Sequence, residues 1–165
     1  MEEILIINTG GTFNKRYNPI KGELEVSKDS ISVEKILKNF FNLEYKILNI
    51  IHKDSLDMLE GDREEIVRVI HKHSSHKVLI IHGTDTMGKT ASYLHSRIKD
   101  KFIVLTGAMV PFSIDPLEAN SNFSMAIGYL LNERKEGVFI SMHGLVSFYK
   151  NIFKDRDLGV FRTNL

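Results

Sequence analysis

The chain has 165 residues, the length of one ordinary domain, with 42% hydrophobic and 26% charged residues and a net charge of +1 from 22 basic and 21 acidic side chains. That composition is globular, and the balanced charge offers no footprint for nucleic acid or an anionic membrane surface. The chain has no cysteine, which excludes disulfides and thiolate metal sites and fits a reducing compartment. No apolar run approaches the roughly 20 residues of a membrane span. Met1-Glu2-Glu3 carries no basic leader, so the expected location is cytoplasmic.

In chain order, residues 4–7 (Ile-Leu-Ile-Ile) read as a short buried strand. Residues 14–28 are polar, contain Pro19 and Gly22, and read as a mobile loop. Ser32 has the character of an N-cap for a helix over 32–40, with Val33, Ile36, Leu37 and Phe40 on one face. A strand over 45–51 follows. Asp62 can cap a helix that turns Ile66, Val69 and Ile70 inward and ends in a polar, histidine-rich stretch. Residues 78–81 form the third apolar run, and Met87, Ala91, Leu94 and Ile98 then recur at helical spacing. Strands over 102–106 and 138–142 flank a helix over 119–131. The remainder is less regular, yet its Phe148, Tyr149, Ile152, Phe153 and Phe161 give it apolar surface to pack.

Short apolar strands alternating with amphipathic helices predict an α/β fold: a three-layer α/β/α sandwich on a mostly parallel sheet, Rossmann- or flavodoxin-like. In such sheets ligands bind at the carboxyl ends of the strands. Two of those ends share a composition. The first strand runs into Asn8-Thr9-Gly10-Gly11-Thr12, and the third into His82-Gly83-Thr84-Asp85-Thr86. Glycines there allow the backbone to turn sharply and approach a ligand. Thr9-Gly10-Gly11-Thr12 lacks the third glycine of a dinucleotide fingerprint, and no helix follows at once, so a nucleotide reading is weak. The second turn sets a hydroxyl beside a carboxylate at the start of a helix. Thr84 or Asp85 can serve merely as a helix cap. Together with its N–H groups the turn can also hold an ammonium and stabilise an oxyanion.

The two turns together resemble the bacterial-type asparaginase/glutaminase family. So do Asp54-Ser55-x-Asp57-Met58, the segment Leu105-Thr106-Gly107-Ala108-Met109-Val110-Pro111 and the Asn122-Phe123 region, in the same order and over essentially the whole chain. The resemblance implies an amidohydrolase that releases ammonia from L-asparagine or a related small amide, with no cofactor and no metal. It makes Thr12 the nucleophile and Tyr17, the tyrosine of the following loop, its assistant. Thr84, Asp85 and a later lysine become a second catalytic group. Counting from Gly144 puts that lysine at Lys154, with Lys150 the competitor. Ser55, beside Asp54, would bind the substrate α-carboxylate and Asp85 the α-ammonium. Gly11 and Gly83 would offer backbone to the substrate, and the Ala108 carbonyl would face the amide nitrogen.

Three departures accompany the resemblance. It covers only the family's N-terminal domain, so 1–165 is expected to be one such domain: a natural single-domain protein, a fragment or one piece of a split enzyme. Leu56 stands where the family has a polar residue that touches substrate, and leucine cannot hydrogen-bond it. The stretch Asp115-Pro116-Leu117-Glu118-Ala119 replaces an acidic-glycine turn. The expected partners are a small amide and further copies of the chain, as a homodimer or larger. The alternatives are a non-catalytic amide-binding module and one chain of a split amidase or amidotransferase.

Overall fold

In the computed structural model, which describes residues 2–164, a six-stranded sheet forms the centre of the molecule. In chain order its strands are β1 (Ile4–Gly10), β4 (Tyr45–Lys53), β5 (Lys77–Ile81), β6 (Phe102–Thr106), β7 (Gly137–Met142) and β8 (Leu145–Phe148). Their spatial order is β4-β1-β5-β6-β7-β8, parallel throughout except for the β7–β8 pair. The chain runs from β1 out to β4 and then crosses back to β5 on the other side of β1. The flavodoxin-like switch point therefore falls between β1 and β5, where an open α/β sheet leaves a crevice for a ligand.

Helices cover both faces. Helices α2 (Glu60–Lys72) and α3 (Met87–Arg97) pack on one, where Ile66, Ile70, Met87, Ala91 and Leu94 meet Leu5, Ile7, Val78, Ile80, Ile103 and Leu105. Helices α1 (Ile31–Leu37) and α4 (Pro116–Asn132) cover the other, where Val33, Ile36, Phe123, Ala126 and Ile127 meet Ile4, Ile6, Leu79, Ile81 and Val104. Neighbours along each strand belong to opposite cores. The continuous apolar runs follow from that, because a strand covered on both faces needs an apolar side chain at every position.

Some boundaries and one element differ from the sequence reading. The 14–28 segment is a hairpin, β2 (Lys15–Asn18) paired antiparallel with β3 (Glu23–Val26), and not an irregular loop. Its strands have four residues each, and the Glu23-Leu24-Glu25-Val26 alternation is too short a run to stand out beside Pro19 and Gly22. Ser30 precedes α1, and Ser32 lies buried inside it. Asp62 sits in the first turn of α2, where its carboxylate accepts the Leu59 N–H at 2.8 Å and both its oxygens accept from the Lys53 ammonium. Beyond β8, the tail folds into a second hairpin, β9 (Ile152–Asp155) with β10 (Val160–Thr163), which buries Ile152 and Phe161 in the α2/α3 core. Among the described residues, no helix is long and apolar enough to cross a membrane.

Candidate active site

The turns after β1 and β5 touch. Gly11 has φ +75°, and a Cβ there would lie 2.6 Å from both the Cα and the N of Gly83. Only glycine permits that approach, because a side chain would meet backbone. The Thr9 hydroxyl donates to the Ile81 carbonyl at 2.6 Å, and the Gly11 N–H donates to the Lys53 carbonyl at 2.9 Å. Thr12 opens a single 3-10 turn, half-buried, between this anchored backbone and Phe13, which is fully buried beside Phe112 and Phe123. Asn14 closes the turn, with its side-chain amide donating to the Asn8 oxygen at 2.7 Å.

A third turn, after β4, packs beneath the second. A Cβ on Gly83 would fall 2.6 Å from the Ser55 Cβ. Ser55 is 1% exposed, and its Oγ accepts the Thr86 N–H at 3.2 Å. The fourth turn, after β6, is equally close: a Cβ on Gly107 would overlap the His82 carbonyl oxygen. The motifs in the sequence single out these glycines and the serine. That they form one contiguous floor is a result of the strand order.

Lys154 reaches this floor from the β9–β10 hairpin. Its ammonium donates to Thr84 Oγ1 at 2.8 Å and to Asp85 Oδ1 at 2.8 Å, and its side chain is 13% exposed. Lys150 lies elsewhere, with its ammonium 6.0 Å from the centre of the Tyr149 ring. Arg156 adds a contact to the Asp85 carbonyl at 3.2 Å. Next to these groups is a cleft of about 370 Å³ lined by Thr84, Asp85, Lys154, Arg156, Lys89 and Phe161, among others.

The β2–β3 hairpin stands over the first turn. Lys15 pairs with Asp54 at 2.9 Å, and Ser113 donates to the Lys15 carbonyl at 2.7 Å. Partial burial works to raise the Asp54 pKa. The Lys15 hydrogen bond, the Leu56 N–H and the charges of Lys15 and Lys154 outweigh it and hold the carboxylate below its usual range. Tyr17 is 62% exposed, its hydroxyl lies by Gly22 at the hairpin tip, and among the described residues no hydrogen bond joins it to Thr12. The structure therefore brings Thr12, Gly11, Gly83, Thr84, Asp85, Ser55 and Lys154 into one group and leaves Tyr17 apart from it. Leu56 is 64% exposed next to Asp54.

Backbone groups left unpaired in this group define what it can do. The N–H groups of Thr12 and Thr84 and the carbonyl of Ala108 have no hydrogen-bond partner among the described residues. Two such N–H groups can stabilise an oxyanion, and a free carbonyl can accept from an amide NH₂. The turn bearing Ala108 is braced by residues that the sequence reading leaves unassigned. Glu118 accepts from the Met109 and Val110 N–H groups at 2.8 and 3.0 Å, and His143 Nε2 lies 2.9 Å from it. Asn122 donates to Gly107 and accepts from the His143 N–H. The signal for this brace is the i, i+4 spacing of Glu118 and Asn122 at the start of α4.

A flavodoxin-like sheet with a threonine on each of two touching turns, and a lysine bridging one of them to an aspartate, defines an asparaginase-type domain. The model of the family described as "Asparaginase, N-terminal" matches residues 3–154, and the chain belongs to that family. It is similar to a glutamyl-tRNA(Gln) amidotransferase subunit from Methanococcus maripaludis strain C6, 29% identical over 149 residues, covering 87% of this chain and 35% of that protein. It is also similar to the L-asparaginase of Thermococcus kodakarensis, 24% identical over 162 residues, covering 96% of this chain and 49% of that one. The solved structure of the thermostable L-asparaginase from Thermococcus kodakarensis superposes with a TM-score of 0.85 at 21% identity over 98% of this chain and 51% of that chain. The chain thus spans between about a third and a half of the length of these relatives.

Proposed function

We propose that this domain carries the catalytic half of an amidohydrolase that releases ammonia from L-asparagine or a related small amide. The single observation that carries this reading is Lys154 bridging Thr84 and Asp85 on a turn that touches the turn of Thr12. In this account Thr12 Oγ attacks the amide carbon and its proton passes, through Tyr17 once the hairpin closes, to the departing nitrogen. Ammonia leaves, an acyl ester remains on Thr12, and water then cleaves the ester with Thr84 and Lys154 steering the proton. The Thr12 and Thr84 N–H groups receive the oxyanion, the Ala108 carbonyl takes the amide NH₂, and Asp85 with Ser55 grips the ammonium and carboxylate of the substrate. Hairpin closure brings Tyr17 inward and excludes water. The domain works as a dimer or larger assembly, whose size light scattering reads directly.

The test is ammonia release from L-asparagine and L-glutamine by the purified chain, beside Thr12→Ala. The reading expects release by the first and a loss of at least about 100-fold in the second, on the scale of a removed nucleophile. Equal release by both proteins removes Thr12 from its role.

A second reading is favoured by the relatives that are glutamyl-tRNA(Gln) amidotransferase subunits: the domain supplies ammonia within a larger enzyme. It expects release to depend on a partner chain. A third, an amide-binding module without turnover, draws on the exposed position of Tyr17. It expects thermal stabilisation by L-asparagine with no ammonia.

A further inference from the structure

Arg63 lies on α2, directly behind the catalytic turns, and is 2% exposed. Burying a cation is costly unless it is paired, and an apolar side chain of similar volume often serves stability as well or better. Yet among the described residues no carboxylate stands within ion-pair distance of this guanidinium. Its hydrogen bonds run to neutral acceptors: Nε to Thr90 Oγ1 at 2.9 Å, Nη1 to the Met58 carbonyl at 3.3 Å and Nη2 to Thr86 Oγ1 at 3.1 Å. A guanidinium keeps its charge in such a place, although burial pushes its pKa down.

Thr86 passes the contact on to Ser55. Its hydroxyl accepts from Arg63 and donates to the Ser55 carbonyl at 2.9 Å, while its N–H donates to the Ser55 Oγ at 3.2 Å. The Ser55 oxygen thus already accepts one hydrogen bond. Its own hydroxyl proton has no acceptor among the described residues and is free to donate. The other arm of the fork is fixed through Thr90. His82 Nδ1 lies 2.7 Å from the Gly83 carbonyl, which only accepts, so Nδ1 carries the proton. Nε2 is then a lone pair that takes the Thr90 hydroxyl proton at 2.7 Å, and Thr90 in turn accepts from Arg63. Among the described residues, the one alternative acceptor for the Thr90 proton is the Met58 sulfur at 3.8 Å, a weaker partner than the imidazole nitrogen.

We propose that Arg63 is a positioning residue for substrate selection: held by Thr90, it fixes Thr86 so that the Ser55 hydroxyl is presented to a carboxylate of the substrate. The proposal rests on the amidohydrolase reading for what Ser55 meets. The orientation of Ser55 and Thr86 does not depend on it.

The experiment uses Arg63→Met, which keeps the volume and removes the fork, and Arg63→Lys, which keeps the charge and cannot span Thr86 and Thr90. Steady-state kinetics compare L-asparagine with 3-aminopropanamide, which keeps the amine and amide and lacks the carboxylate. The expected result for Arg63→Met is a KM for L-asparagine raised about tenfold, the scale of one charge-assisted contact, with kcat within about threefold and the KM for 3-aminopropanamide within about twofold. Arg63→Lys recovers less than half of the loss on a logarithmic scale. Amide hydrogen exchange at Thr86 is a readout independent of activity: it speeds up at least about tenfold in either variant, while the β5 amides keep their protection. An unchanged KM for L-asparagine in a folded variant, equal KM rises for both amides, or unchanged exchange at Thr86 overturns the proposal. Arg63→Lys carries the same test if the methionine variant does not fold. If the unaltered chain releases no ammonia, the amidohydrolase reading fails. The Thr86 exchange then decides the positioning claim alone.

Discussion

Gly11 and Gly83 hold the two threonine turns in van der Waals contact, with no room for a Cβ on Gly11. This contact joins the carboxyl ends of β1 and β5 across the switch point and sets Thr12 beside Thr84. Gly11→Ala adds a methyl against backbone at φ +75° and is expected to destabilise the domain by about 2–4 kcal/mol, as overpacking combined with a left-handed backbone does. Chemical denaturation reads that loss. A variant as stable as the parent shows that the turns separate freely.

Lys154 and Lys150 are four residues apart and have unrelated surroundings. Lys154→Met removes the ammonium that bonds Thr84 and Asp85 and is expected to lower kcat by about 100-fold or more, within the range of a lost proton-transfer group. Lys150→Met removes only an exposed contact with Tyr149 and should change it less than about twofold. Equal effects in ammonia release contradict the assignment.

The Lys15–Asp54 pair ties the base of the hairpin to the turn that carries Ser55. Because the folded-state pKa of Asp54 is depressed, its contribution is present above the ordinary carboxylate value of 3.8 and is lost as pH falls through the lower folded value. Limited proteolysis within 15–26 should therefore stay slow at about pH 5 and accelerate only in stronger acid. Asp54→Asn should show the faster cleavage already at neutral pH. Equal cleavage of both proteins at neutral pH removes the clamp.

His82 is fully buried, and burial, helped by the Arg63 charge, lowers its pKa from 6.5 to about 4 against the opposing Gly83 hydrogen bond. Here the unfolded chain binds the proton first. Stability from this residue is whole above pH 6.5 and declines as pH falls towards 4, by up to about 3 kcal/mol at about 1.36 kcal/mol per pKa unit. Denaturant titrations across that window, compared with His82→Gln, isolate the contribution. Parallel pH profiles for the two proteins contradict it.

The parallel sheet is legible in the sequence because its central strands are covered on both faces and so read as unbroken apolar runs, as Val78 to Ile81 does. The glycine and threonine turns are legible by position at the strand ends. The β2–β3 hairpin is not, since each strand has four residues, Tyr17, Leu24 and Val26 are outnumbered by charged and polar neighbours, and ion pairs and docking help to hold it. Arg63 is also hidden. In sequence it sits among Asp62, Glu64 and Glu65 and reads as part of a solvated helix face. Only the approach of α3, bringing Thr86 and Thr90, gives it a buried purpose. Glu118 is masked likewise, because its partners at Met109, Val110 and His143 come from two other loops.

The measurement that tests the central claim most directly is mass analysis of the chain after rapid acid quench during turnover of L-asparagine, followed by peptide mapping. The account predicts an aspartyl ester on the peptide containing Thr12, absent in Thr12→Ala and accumulating in Lys154→Met. Ammonia release with no adduct on that peptide, or an adduct mapped to Thr84, would contradict it.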